Sequence, residues 1–109
     1  MKITAGDVWF ARFPFADDPA KSKLRPVIVM DKYDGFAVVL ATMVTTHAPR
    51  DYFDVRINDY QLAGLHRPSV ARISQTREIP EAYCEYRIGS LTLHDFKAVE
   101  DKFIEFIGG

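Results

Sequence analysis

The chain has 109 residues, 48% of them apolar and 13% aromatic, enough to build one domain's core without disulfides or metal. A net charge of −1 excludes a surface that is basic all over, though not a local basic face. The lone Cys84 excludes an internal disulfide, and no apolar run approaches the ~20 residues that cross a bilayer. With no apolar signal core at the N-terminus, the expectation is a cytoplasmic protein with no membrane partner.

Residues 7–13 (Asp7-Val-Trp-Phe-Ala-Arg-Phe13), opened by a Gly6-Asp7 turn, read as a strand that is apolar on both faces. Pro14 and the polar stretch Ala16–Lys23 then give a loop of about ten residues, long enough in a small domain to suggest function. Pro26 disfavours helix at Arg25, so Arg25-Pro26-Val27-Ile28-Val29-Met30 predicts a second strand with a cation at its mouth, a place suited to an anion such as phosphate. The Asp34-Gly35 turn signal precedes a third strand over 36–44. Tyr52-Phe-Asp-Val-Arg-Ile57 alternates apolar and polar residues, as a half-exposed strand does.

Residues 58–65 predict one helical turn capped by Asn58 or Asp59 and ended at Gly64. Residues 69–76 predict a fifth strand, stopped by Ile79-Pro80. Thr92 can cap a terminal helix, with Asp95 three residues on and Leu93, Phe96, Val99, Phe103, Phe106 and Ile107 forming its apolar stripe. Five strands with a helix packed on them make a mainly antiparallel, SH3-like β barrel of about five to seven strands, spanning residues 1–109 as one domain.

Taken in order, Gly6-Asp7-Val8-Trp9, Arg25-Pro26-Val27-Ile28-Val29, Val44-Thr45, Gly64-Leu65, Ser69-Val70, Gln75-Thr76-Arg77 and Gly89-Ser90-Leu91 resemble the MazF/PemK family over nearly the whole chain. These are the toxin halves of bacterial toxin–antitoxin pairs. The resemblance implies an SH3-like barrel, a homodimer, and metal-independent cleavage of single-stranded RNA at short sequences. It also implies an antitoxin whose flexible acidic tail occupies the RNA groove, with DNA reached only through that antitoxin, and no cofactor or metal. Carried over by position, Arg25, Thr45 and Arg72 become the catalytic candidates. One departure stands out: where one branch has an aspartate two residues after the arginine and other members a glutamate, this chain has Ser74.

The chemistry fits these residue types. Cleavage through the 2′-hydroxyl builds charge on phosphorus, and a guanidinium fork can bond two phosphate oxygens while staying protonated. His47, two residues past Thr45, is a candidate general base. Lys21, Lys23, Arg67, Ser74 and Arg77 are candidates for holding RNA or an antitoxin, with His66 a further phosphate contact and Phe15, Tyr52 or Phe53 available to stack bases. His94, in the first helical turn, reads as structural. The alternatives are a non-catalytic RNA- or protein-binding module of the same fold, which Ser74 favours, and a generic SH3-like interaction domain. The second leaves the basic residues around Arg25 without a role.

Overall fold

Asp7–Pro14 (β1) and Ser22–Tyr33 (β2) form one long antiparallel hairpin, with Val8 opposite Ile28 and Pro14 opposite Ser22. The computed structural model describes residues 2–108. Four further strands follow: Val38–Thr45 (β3), Asp54–Ile57 (β4), Ser69–Pro80 (β5) and Cys84–Ser90 (β6), and then a terminal helix, Leu93–Phe106 (α1). The six strands make one antiparallel sheet in the order β4-β5-β3-β2-β1-β6.

Period-2 alternation gives this sheet two cores. Val8, Ile28, Met30, Val44, Ala71 and Ile73 face one side, where Val99 of α1 packs with Phe96 and Phe103. Trp9, Ala11, Phe13, Val27, Val29, Val39 and Ala41 face the other. The ladder does not join β4 to β6. Instead the turn after β4 packs on β6: Gly64, at φ +87°, lies so close that a Cβ there would sit 2.6 Å from the Ile88 carbonyl oxygen. The sheet thus curls into a barrel whose last seam is closed by packing.

The structure revises several boundaries. Among the described residues there are six strands, within the expected five to seven; the one not placed in advance is β6, which pairs with β1 and carries three exposed residues in a row, Glu85, Tyr86 and Arg87, so it shows no apolar alternation. The first loop shrinks to residues 15–21, because the hairpin continues through Phe13–Lys23 and Pro14–Ser22 and is tied by Phe15 N–H to the Lys21 carbonyl at 3.0 Å. Arg25 therefore stands inside β2, opposite Ala11, and not at a strand mouth. Residues 58–64 form a single closed turn that does not extend into a longer helix, with Ala63 N–H donating to the Asp59 carbonyl at 3.2 Å and Leu65 N–H to the Tyr60 carbonyl at 3.0 Å.

On α1, Leu93 and Ile107 are exposed and leave the apolar stripe. Asp95 goes the other way. It is 1% exposed, and its carboxylate accepts the Asn58 and Asp59 backbone N–H groups at 3.1 and 2.8 Å, fixing the helix to the turn that seals the barrel. Its own N–H donates to Thr92 Oγ1 at 3.2 Å, which is the predicted cap.

Candidate functional site

Two irregularities in the sheet open a site. The β2–β3 ladder begins only at Val27–Met43, so Arg25 and Pro26 pair with β1 alone while β3 runs on with β5 as far as Thr45–Val70. Proline has no N–H to give a second ladder, and its ring keeps the strands apart. On β5, Thr42 faces Thr76 but Met43 faces Arg72, so Ile73, Ser74 and Gln75 are looped out as a wide bulge. Thr76 Oγ1 braces that bulge, donating to the Ile73 carbonyl and meeting Thr42 Oγ1, both at 2.7 Å.

Between these breaks lies an open cleft of ≈ 530 Å³. Its walls follow from the alternation that built the second core: Phe13 on β1, Lys23 and Arg25 on β2, Met43 and Thr45 on β3, and Arg72 on β5. The apolar face turns cationic where the strands part. His47, Arg50, Phe15 and Gln75 complete the wall.

The charge pattern is one-sided. Lys23, Arg25, Arg50 and Arg72 line the cleft, and among the described residues no aspartate or glutamate does. Of these four only Arg72 forms an ion pair among the described residues. Arg25 is half-buried, and its pKa is lowered by burial first and then by the like charge of Arg72. A bound anion would relieve both penalties.

Arg72 is 5% exposed and is gripped from below by Asp54, its cross-strand partner on β4. Its Nε donates to Asp54 Oδ1 and Oδ2 at 3.2 and 3.3 Å, and its Nη2 to Oδ2 at 3.0 Å. The Arg50 N–H adds a bond to Oδ2 at 2.9 Å. Burial alone would raise the Asp54 carboxyl, but these hydrogen bonds and the two arginine charges outweigh it and hold the pKa below the ordinary range.

A second cleft of ≈ 460 Å³ adjoins the first and shares Pro26, Thr45 and Thr46 with it. It holds His66 and Arg67, and Phe10 and Tyr86 stand on its wall as a stacked pair with centroids 5.4 Å apart. So the structure brings Arg25, Thr45, Arg72, His47 and Lys23 into one cleft and sets Arg67 in its neighbour. It does not bring in Lys21, exposed in the β1–β2 loop, nor Arg77, whose Nη2 donates to Gln75 Oε1 at 3.2 Å.

Ser74 lies half-buried in the bulge and lines neither cleft. Thr45 Oγ1 accepts the His47 N–H at 3.2 Å, which ties the candidate base to the strand end. Tyr52 and Phe53 belong to α1 instead: Phe53 meets Phe106 edge-on at 5.0 Å, and the Lys102 ammonium sits 3.7 Å above the Tyr52 ring. His94 is exposed on the first turn of α1. Sequence reasoning missed Arg50, Gln75 and Asp54. Asp54 alone had left a signal, as a polar position in the alternating 52–57 strand.

Fold and cleft together define a small curled β domain with a groove lined by cations. Residues 4–107 match the sequence model of the PemK-like, MazF-like toxins of type II toxin–antitoxin systems, and the chain belongs to that family. Similar folds occur in MazF from Deinococcus radiodurans (TM-score 0.80, 18% identity, covering 100% of this chain and 99% of that one). An endoribonuclease in complex with its cognate antitoxin from Mycobacterial species is also similar (TM-score 0.78, 11% identity, covering 98% and 96%). So is the Mycobacterium tuberculosis toxin MazF-mt6 (TM-score 0.73, 20% identity, covering 93% and 95%). No curated protein sequence matches the chain.

Proposed function

We propose that this protein is an endoribonuclease that cuts single-stranded RNA at short specific sequences through the RNA's own 2′-hydroxyl. One observation carries the reading: four cations and an imidazole line a cleft in whose wall no described residue places a carboxylate, in a protein of net charge −1. Such a cleft attracts a polyanion, and its fixed guanidinium groups suit the charge that grows on phosphorus.

In this reading Arg25 and the free edge of Arg72 bind the non-bridging oxygens of the scissile phosphate. His47 takes the 2′-hydroxyl proton, Thr45 holds the attacking oxygen, and the 2′-oxygen forms its bond to phosphorus as the bond to the 5′-oxygen breaks. The products are a 2′,3′-cyclic phosphate and a 5′-hydroxyl, the latter protonated from solvent at the open cleft. The guanidinium groups supply the stabilising charge, so the step calls for no metal ion. Lys23 and, across Thr45, Arg67 extend the grip to neighbouring phosphates.

The protein works in this reading as a homodimer, for which the exposed Ile104 and Phe106 of α1 and Ile107 just after it offer apolar surface. A cognate antitoxin silences it by laying a flexible acidic tail in the same cleft, where carboxylates replace phosphates. Ser74, standing where the resemblance places an acid, favours a second reading, a non-catalytic RNA- or protein-binding module of the same fold.

Purified protein incubated with a long unstructured RNA in EDTA tests the choice. Discrete fragments ending in 2′,3′-cyclic phosphate establish the nuclease. Intact RNA that nevertheless binds the folded protein establishes the module.

A further inference from the structure

The guanidinium of Arg72 is oriented before any ligand arrives. Nε and Nη2 are both committed to Asp54, whose side chain is 0% exposed. Nη1 has no hydrogen-bond partner among the described residues, and no buried side-chain nitrogen or oxygen among them lacks one, so Nη1 is not sealed from solvent, and Arg72 lines the cleft. The carboxylate is fixed in turn by the Arg50 N–H, and its strand by the Asp54–Arg72 register of β4 on β5.

Meanwhile the β5 bulge takes position 74 out of the cleft wall. An acid there would not occupy the place that strand alternation assigns it. The carboxylate of this site comes instead from the adjacent strand.

We infer that Asp54 is the positioning residue of the cleft: it aims Nη1 of Arg72 at the bound phosphate. Its negative charge also lets Arg72 stand beside Arg25, two cations that would otherwise drive each other apart. The Asp54 side chain has no exposed surface to touch RNA, so it acts through Arg72. This inference rests on the ribonuclease reading for its kinetic test and on anion binding alone for its second test.

The kinetic test is a double-mutant cycle on RNA cleavage with the wild type, Asp54→Asn, Arg72→Met and the pair. Asp54→Asn is expected to lower kcat about 10–100-fold with KM changed less than about threefold, because a donor off its target loses transition-state stabilisation. The double variant should be no slower than Arg72→Met alone, since both changes remove one device. Multiplying effects would overturn the inference, and so would wild-type kcat in folded Asp54→Asn.

A general-base role for Asp54 would also overturn it, and shows as loss of the acidic limb of the pH–rate profile. The groups facing Asp54 that share this profile are Arg72 and Arg50, with His47, Arg25 and Lys23 across the cleft. If Asp54→Asn does not fold, Asp54→Glu keeps the charge but shifts the carboxylate by a methylene. It should lose kcat likewise, and wild-type kcat there would refute the inference.

The second test needs no cleavage. The Arg72 Nε–H resonance is followed by NMR while an uncleavable 2′-O-methyl oligoribonucleotide is added. A shift in the wild type that is lost in Asp54→Asn supports the positioning role, and an equal shift in both refutes it. Absence of cleavage by the wild type overturns the ribonuclease reading alone and leaves this titration to decide on Asp54.

Discussion

Replacing Arg25 by methionine separates what the cleft costs the fold from what it gives the reaction. Arg25 has no ion pair among the described residues, and burial together with Arg72 lowers its pKa, so the folded protein disfavours its charged form. For a base with a lowered folded-state pKa, stability rises only as pH climbs through that value. At any working pH the guanidinium stays charged and the penalty stays in place.

Methionine keeps an unbranched apolar side chain and removes that penalty, so the urea midpoint should hold or rise. The reaction should suffer. Two charge-assisted bonds to phosphate at about 1.5–3 kcal/mol each amount to roughly 3–6 kcal/mol, or about 10²–10⁴-fold in rate. Single-turnover cleavage of an RNA substrate and urea unfolding followed by fluorescence of Trp9 read the two sides. A destabilisation above about 1 kcal/mol, or a rate within tenfold of wild type, refutes the reasoning.

Asp95→Asn sets an amide NH₂ against one of the two backbone N–H groups its carboxylate now accepts, and should cost about 2–4 kcal/mol in urea unfolding. Gly64→Ala and Gly35→Ala form a matched pair, since both glycines have φ near +85° to +87° but only a Cβ at 64 would meet backbone, at 2.6 Å from Ile88 O. Gly35→Ala should lose only about 1–2 kcal/mol for the left-handed backbone, and Gly64→Ala distinctly more; equal losses would refute the packed seam. The Cys84 thiol is 3% exposed, and burial, with Glu81 adding to it, raises its pKa to about 11. With about 10⁻³ of it ionised at pH 8, it should resist thiol reagents until the protein unfolds, and fast labelling of the native protein would contradict that burial.

Much of the fold was legible from residue order. Apolar runs marked β1 and, after Pro26, β2, alternation marked β4, Thr92 marked the helix start, and Gly64 marked the end of the turn, because each depends on neighbours close in sequence. β6 was hidden because an edge strand with three exposed residues in a row carries no period, and only its pairing with β1 makes it a strand. The bulge at Ile73–Gln75 was hidden for a related reason. Nothing in Arg72-Ile73-Ser74-Gln75 says that three residues leave the ladder until β3 fixes Met43 against Arg72 and Thr42 against Thr76.

Sequence by itself also supplied residues that line the cleft, with Arg25, Thr45 and Arg72 carried by resemblance and Lys23 and His47 by residue type and position. Tertiary structure alone decided how they meet. Pro26 ends the β2–β3 ladder, so Arg25 and Thr45 part to make a cleft, and register puts Asp54 beneath Arg72 from a strand 18 residues away. A serine at position 74 reads in sequence as a missing acid. In the folded chain a carboxylate stands against Arg72 all the same, because side chains meet across strands and not along them.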